Sequence, residues 1–233
     1  MDHNEIQAVM LAAGMGRRLS NGDHSHPPKC LLKFDGKTLL QRHVEALMKV
    51  GIKSLTIVVG FKSNKIIREI KDIQADDFVN FIDYERFDRG SIVSLWHARE
   101  KLRSGYQVIF MDAAVLYHAS LVKKLTSESV HSIIPYDRVF EAGDEPVKLC
   151  LSDEKPVEFS KIVGCMYDQI GEWPGFMKLS PKSANLIADD LDARIVNGDL
   201  DSPYEDSMRR VILGSSNNCL LYTSPSPRDL STS

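Results

Sequence analysis

The sequence predicts an α/β fold built on a mostly parallel sheet, with antiparallel additions in its second half. Short apolar runs alternate with longer amphipathic ones from Ile6 to Thr126. That βαβαβαβα order suits parallel strands, because each must be joined to the next by a crossover that covers a sheet face. After Val130 the pattern changes to short strands separated by turns, as antiparallel hairpins require.

Taken in order, Ile6-Gln-Ala-Val-Met-Leu11 reads as a buried strand. Residues 38–50 place Leu39, Leu40, Val44, Leu47 and Met48 at helical spacing. Thr38 is a suitable cap for that helix and Gly51 a suitable stop. Residues 54–59 form a second strand ended by Gly60. Residues 63–73 form a helix with Ile66, Ile67, Ile70 and Ile73 on one face. A third strand is expected over 78–83, a helix over 91–102, a fourth strand over 107–111 and a helix over 120–126. Short strands follow at 130–136, 146–151, 156–159 and 175–179. Helices return at 181–190, with Pro181 in the first turn, and at 204–213.

The chain has 233 residues, enough for one large α/β domain without disulfide staples. Its net charge of −3 gives no general attraction to nucleic acid or to an anionic membrane, so an anionic ligand needs a local cationic cluster. The four cysteines form no C-x-x-C pair, which argues against a zinc site. The first apolar run is too short for a signal peptide and follows an acidic start. No apolar stretch approaches the roughly 20 residues of a membrane span. A cytoplasmic protein is expected. Residues 1–213 read as one domain. Residues 214–233 read as a tail without structure, rich in serine with two prolines. Part of it, from Leu220 to Asp229, also looks like translated sequencing-adapter sequence, which would make it foreign to the natural protein.

In a parallel sheet ligands bind beyond the carboxyl ends of the strands, so the loops after Leu11, Gly60 and Met111 are where chemistry is expected. The first reads Leu11-Ala-Ala-Gly-Met-Gly-Arg-Arg-Leu19, followed by Pro28-Lys-Cys-Leu31. Small residues and glycines after a strand let backbone N–H groups approach phosphate oxygens. Arg17, Arg18 and Lys29 add positive charge in an otherwise acidic chain. A dinucleotide fingerprint fits poorly, because Leu19 stands where its third glycine would be.

On these residues the chain resembles the nucleoside-triphosphate transferase family. Gly36-Lys-Thr-Leu-Leu40, Val59-Gly-Phe61, Gly90-Ser-Ile-Val-Ser-Leu-Trp96 and Glu205-Asp206 extend the likeness from about Ile6 to Leu213. The Gly90–Trp96 segment and Gly143-Asp-Glu-Pro-Val-Lys148 make it most similar to the cytidylyltransferases of phosphocholine and 2-aminoethylphosphonate. The resemblance implies a Rossmann-like, GT-A-like fold and attack by an acceptor phosphate or phosphonate on the α-phosphorus of CTP. Pyrophosphate would leave, with Mg²⁺ as cofactor. It assigns Leu11, Ala12, Ala13, Gly14, Gly16, Arg17, Gly60 and Ser91 to nucleotide binding. Lys29, Arg18 and Lys161 become catalytic groups, and Asp112 and Asp206 metal carboxylates. Tyr136, Asp137, Tyr167 and Trp173 are candidates for an amine-binding wall. CTP and a small acceptor are the expected partners, and a homodimer is compatible with the reading.

One departure stands out. The family usually carries an Asp-x-Asp or Gly-Asp pair after the fourth strand, and this chain reads Asp112-Ala-Ala114. That leaves a nucleotide-binding domain with impaired turnover as one alternative; a hexose-1-phosphate nucleotidyltransferase using another base is a second.

Overall fold

The computed structural model describes residues 5–16, 25–85, 89–126, 131–141, 143–214 and 219–223. A mixed seven-stranded sheet runs through it in the order β12 (Cys219–Thr223), β7 (Ser132–Tyr136), β11 (Phe176–Leu179), β6 (Gln107–Asp112), β1 (Ile6–Ala12), β4 (Leu55–Val59) and β5 (Val79–Asp83). Strands β1 (Ile6–Ala12), β4 (Leu55–Val59), β5 (Val79–Asp83) and β6 (Gln107–Asp112) pair in parallel. β11 (Phe176–Leu179) runs antiparallel between β6 and β7 (Ser132–Tyr136). A separate antiparallel sheet has the order β10-β8-β9, with β8 (Lys148–Ser152) between β10 (Gln169–Glu172) and β9 (Lys155–Ser160). A small hairpin, β2 (Lys33–Phe34) and β3 (Lys37–Thr38), follows the first loop.

The sheet is buried on both faces. Along β1, Ala8 and Met10 join one apolar cluster and Val9 the other, as the two-residue side-chain period demands. Helices α1 (Leu39–Lys49), α2 (Ser63–Asp72) and α5 (Ser120–Leu125) contribute Leu40, Ile66 and Leu121 to the first cluster. The second holds residues of α3 (Ser91–His97), α4 (Arg99–Leu102), α6 (Pro181–Val196) and α7 (Glu205–Gly214). The Thr38 hydroxyl caps α1 by accepting the Gln41 N–H at 3.0 Å. Ser180 does the same for α6 with Ser183, ahead of Pro181.

Four elements differ from the sequence expectation. The helix expected over 91–102 is two, broken at Ala98, whose N–H turns back to the Leu95 carbonyl at 3.0 Å. The helix expected to end at Asp190 runs on to Val196, where Leu191 and Ile195 keep packing on the core. Gln169–Glu172 is a strand that no apolar alternation announces; it is specified by pairing with β8. Within the stretch expected to lack structure, β12 (Cys219–Thr223) pairs in parallel with β7. Its Leu-Leu-Tyr composition suits a strand, and Leu221 packs on the core.

Candidate active site

The parallel register gathers three loops at one edge of the sheet. Leu11 of β1 lies opposite Asp112 of β6, and Ala12 opposite Val59 of β4. The Leu11 carbonyl accepts the Ala113 N–H at 3.2 Å, and the Ala13 carbonyl accepts the Phe61 N–H at 3.1 Å. Gly14 is exposed and Gly60 buried. Gly16 has φ +66°, and a Cβ there would lie 2.8 Å from Lys29 Cε. Glycine is needed both for the backbone and to let the Lys29 chain cross the loop. Arg17 and Arg18 lie outside the described residues.

Next to these loops is a cavity of about 950 Å³. Asp112, Lys161 and Glu205 line it, as do Asp137, Glu172 and Trp173. Asp112 is held on two sides. Its N–H donates to the Gly175 carbonyl at 2.8 Å, and its Oδ2 accepts from the Tyr204 hydroxyl at 2.8 Å. Burial pushes its pKa up from 3.8 to about 7; the neighbouring Glu205 charge adds to the rise, and the Tyr204 hydrogen bond, Lys161 and Lys29 oppose it. Burial also raises Glu205, with Lys161 opposing. Glu205 Oε2 is buried without a hydrogen-bond partner. Two carboxyl groups thus line one cavity, and burial raises the pKa of each. Such a donor set fits a hard divalent cation, which commonly takes one or two protein carboxylates and fills its shell from substrate phosphates. Among the described residues no cluster of three or more metal-ligating side chains exists.

The structure sorts the expected site residues. Asp112 and Lys161 meet in the cavity, and Lys29 is close enough to influence Asp112. Asp206 is not among the lining residues; its Oδ2 lies 3.9 Å from Arg194 Nη1, while Glu205 lines the cavity. Adjacent helical residues point about 100° apart, and sequence alone could not say which of the two acids faces inward. Ser91 spends its hydroxyl on the Tyr204 N–H at 3.1 Å. Its neighbour Gly90 allows this closeness: a Cβ there would lie 2.6 Å from the Ser202 carbonyl oxygen. The 200–204 loop that delivers Tyr204 and Glu205 is therefore stitched to the start of α3. Ala114 is exposed.

Of the suggested amine wall, Asp137 and Trp173 line the cavity. Tyr136 is buried with its hydroxyl 3.4 Å from Gln169 Oε1, and Tyr167 is exposed. The sequence reading missed Glu172, whose pKa is raised by burial and by Asp137. It also missed His43 on α1. That ring is buried, stacks on Tyr117 at 5.1 Å, and its Nε2 lies 3.2 Å from the Ala113 carbonyl. Burial pushes its pKa down to about 4, so it is a neutral donor that steadies the loop after Asp112.

The MobA-like NTP transferase domain matches residues 8–147, which hold β1, the Gly-rich loop, β4 and the β6 terminus with Asp112. The chain belongs to this family. Membership makes it a nucleotidyltransferase domain of the NTP-transferase kind. The MobA-like match ends before Lys161 and Glu205, so the cavity is completed from outside it. The chain is 38% identical over 74 residues to the bifunctional protein GlmU of Blochmanniella pennsylvanica, covering 32% of this chain and 15% of that protein. It is 23% identical over 138 residues to the CTP:phosphoglutamine cytidylyltransferase of Campylobacter jejuni, covering 57% and 53%. The chain thus spans about half or less of these relatives' lengths. The CTP:phosphocholine cytidylyltransferase structure from Streptococcus pneumoniae superposes with TM-score 0.69 and 17% identity over 95% of this chain and 91% of that one; at that identity the likeness is one of fold. Among the described residues no helix is long and apolar enough to cross a membrane.

Proposed function

We propose that this chain transfers CMP from CTP to a small acceptor that bears a phosphate or phosphonate and a cationic amine, as phosphocholine and 2-aminoethylphosphonate do. One observation carries the reading: a single cavity is lined by Lys161, by the acidic pair Asp137 and Glu172, and by Trp173. A lysine suits the acceptor's anionic group, and a pair of carboxylates suits its ammonium. A sugar phosphate without an amine would bring no positive charge of its own to the acidic pair.

In the reaction an acceptor oxygen attacks the α-phosphorus of CTP. The bond from that phosphorus to the bridging oxygen breaks, and pyrophosphate leaves with the electron pair. Backbone N–H groups around Gly14 and Gly16 cradle the triphosphate, and Lys29 stabilises charge developing near the α-phosphorus. Lys161 holds the acceptor's anionic group for in-line approach. Asp112 and Glu205 would hold Mg²⁺, which when bound offsets the phosphates' negative charge. Tyr204 keeps Asp112 oriented by its hydrogen bond.

The test is initial pyrophosphate release with each of the four nucleoside triphosphates, across phosphocholine, 2-aminoethylphosphonate, inositol-1-phosphate and glucose-1-phosphate. CTP with the two amine-bearing acceptors is expected to give the highest kcat/KM. Better turnover of glucose-1-phosphate would replace this reading with the hexose-1-phosphate one. Triphosphate binding without release would show a domain with impaired turnover.

A further inference from the structure

Lys148 opens β8, the central strand of the three-stranded sheet, and does not line the cavity. It pairs with Glu172 of β10 on one side and with Ser160 of β9 on the other. Its ammonium donates to the Gly143 carbonyl at 2.7 Å and to the Lys161 carbonyl at 2.7 Å, with the Pro146 carbonyl at 3.4 Å. The first and last belong to the loop that carries Glu145, and Lys161 begins the loop that leaves β9. Those two loops face each other: Lys161 Nζ lies 3.5 Å from Glu145 Oε2.

We propose that Lys148 is a positioning residue of the acceptor cavity, its ammonium clasping the carbonyls of Gly143, Pro146 and Lys161 so that both loops hold one spacing. Three carbonyls converge on one cation, and a charged donor makes stronger hydrogen bonds than a neutral one. Among the described residues, further anchors of these loops lie to either side. Val147 gives its carbonyl to the Trp173 N–H at 2.8 Å, and Asp168 gives its N–H to the Leu151 carbonyl at 2.8 Å. Between them Lys161 is fixed in place by the Lys148 clasp and by the turn at Ser160, whose hydroxyl accepts the Ile162 N–H at 3.2 Å. Without the ammonium, the three carbonyls turn to water and the spacing of Lys161 from Glu145 is no longer set. The clasp also puts a positive charge beside Glu172, whose pKa Lys148 lowers.

This inference rests on the cavity being the acceptor site. Lys148→Met keeps the length and apolar stem of the side chain and removes the donor. The expected result is an acceptor KM raised about tenfold, with the KM for CTP unchanged; tenfold corresponds to about 1.4 kcal/mol. Lys148→Arg, which again supplies N–H donors to the carbonyls, recovers most of the loss. A purely structural role would instead lower thermal stability and worsen both KM values together, and that result overturns the proposal. Amide exchange over 143–147 and 160–164 is measured on the same proteins without substrate. Faster exchange confined to those segments in Lys148→Met supports the clasp, and unchanged exchange overturns it whatever the kinetics. If the wild-type chain turns over none of the four acceptors while exchange rises as expected, the clasp stands and the acceptor reading falls.

Discussion

Asp112→Asn should make the substrate-free protein more stable at alkaline pH while abolishing turnover. Folding carries the carboxyl from an ordinary pKa of 3.8 to about 7. A carboxylate whose folded pKa is raised binds its proton more tightly when folded. Its ionisation therefore costs nothing below pH 4, and stability is lost progressively as pH rises from 4 through 7. At about 1.36 kcal/mol per pH unit the step is worth about 4 kcal/mol, which local relaxation and water reduce to about 2–4 kcal/mol. Asparagine has the same shape, carries no charge, and its amide oxygen can accept the Tyr204 hydroxyl. For a domain of this size about 2–4 kcal/mol is on the order of 5–10 °C in Tm. The assay is thermal unfolding from pH 4.5 to 8.5 for both proteins. The curves should meet at the acid end and separate toward pH 8, with the variant higher. Added Mg²⁺ and CTP should then raise the wild-type Tm and leave the variant nearly unmoved, because only the wild type supplies the second facing carboxylate. If Asp112→Asn has the lower Tm at pH 8, or runs parallel to the wild type throughout, the carboxylate is not electrostatically frustrated and the argument for a cation between Asp112 and Glu205 fails.

The neutral His43 gives a slope of opposite sign. Its folded pKa of about 4 lies below its ordinary 6.5, so stability present above pH 6.5 is lost as pH falls toward 4, by at most about 3 kcal/mol. In an Asp112→Asn background, His43→Gln should flatten Tm between pH 6.5 and 4; an unchanged slope would show that another group titrates there. Gly90→Ala forces a methyl to within 2.6 Å of the Ser202 carbonyl oxygen. It should cost about 2 kcal/mol or more and lower kcat by displacing Tyr204 and Glu205; wild-type Tm and kcat together would show that the 200–204 loop yields freely. Ala114→Asp adds a third carboxylate two residues beyond Asp112. It should lower the Mg²⁺ concentration for half-maximal pyrophosphate release, and an unmoved curve would mean that position 114 faces away from the ion.

Much of the fold was legible because local patterns specify it. The short apolar runs at 6–11, 54–59 and 107–111 have the length and composition of strands covered on both faces, and the helices between them show one apolar stripe each. The Gly-rich loop was legible for the same local reason: closely spaced glycines after a strand serve close backbone approach, and Gly16 is at positive φ where Lys29 crosses it. Asp112 was readable as the residue at the end of β6. What the sequence could not decide depends on contacts between segments far apart in the chain. Glu205 and Asp206 are equal in sequence, and only the packing of α7 and the stitching of residues 200–204 to Gly90 and Ser91 turn Glu205 toward Asp112. The raised pKa of Asp112 comes from its burial in the assembled fold, opposed by a hydrogen bond from Tyr204, 92 positions away. Glu172 sits on a strand that exists because β8 pairs with it. Lys148 looks like one more surface lysine until three carbonyls from two loops meet its ammonium. Periodicity and propensity act over a few residues and so are written in the sequence. Desolvation, facing charges and the direction of a side chain on a helix belong to the assembled chain, and tertiary packing alone fixes them.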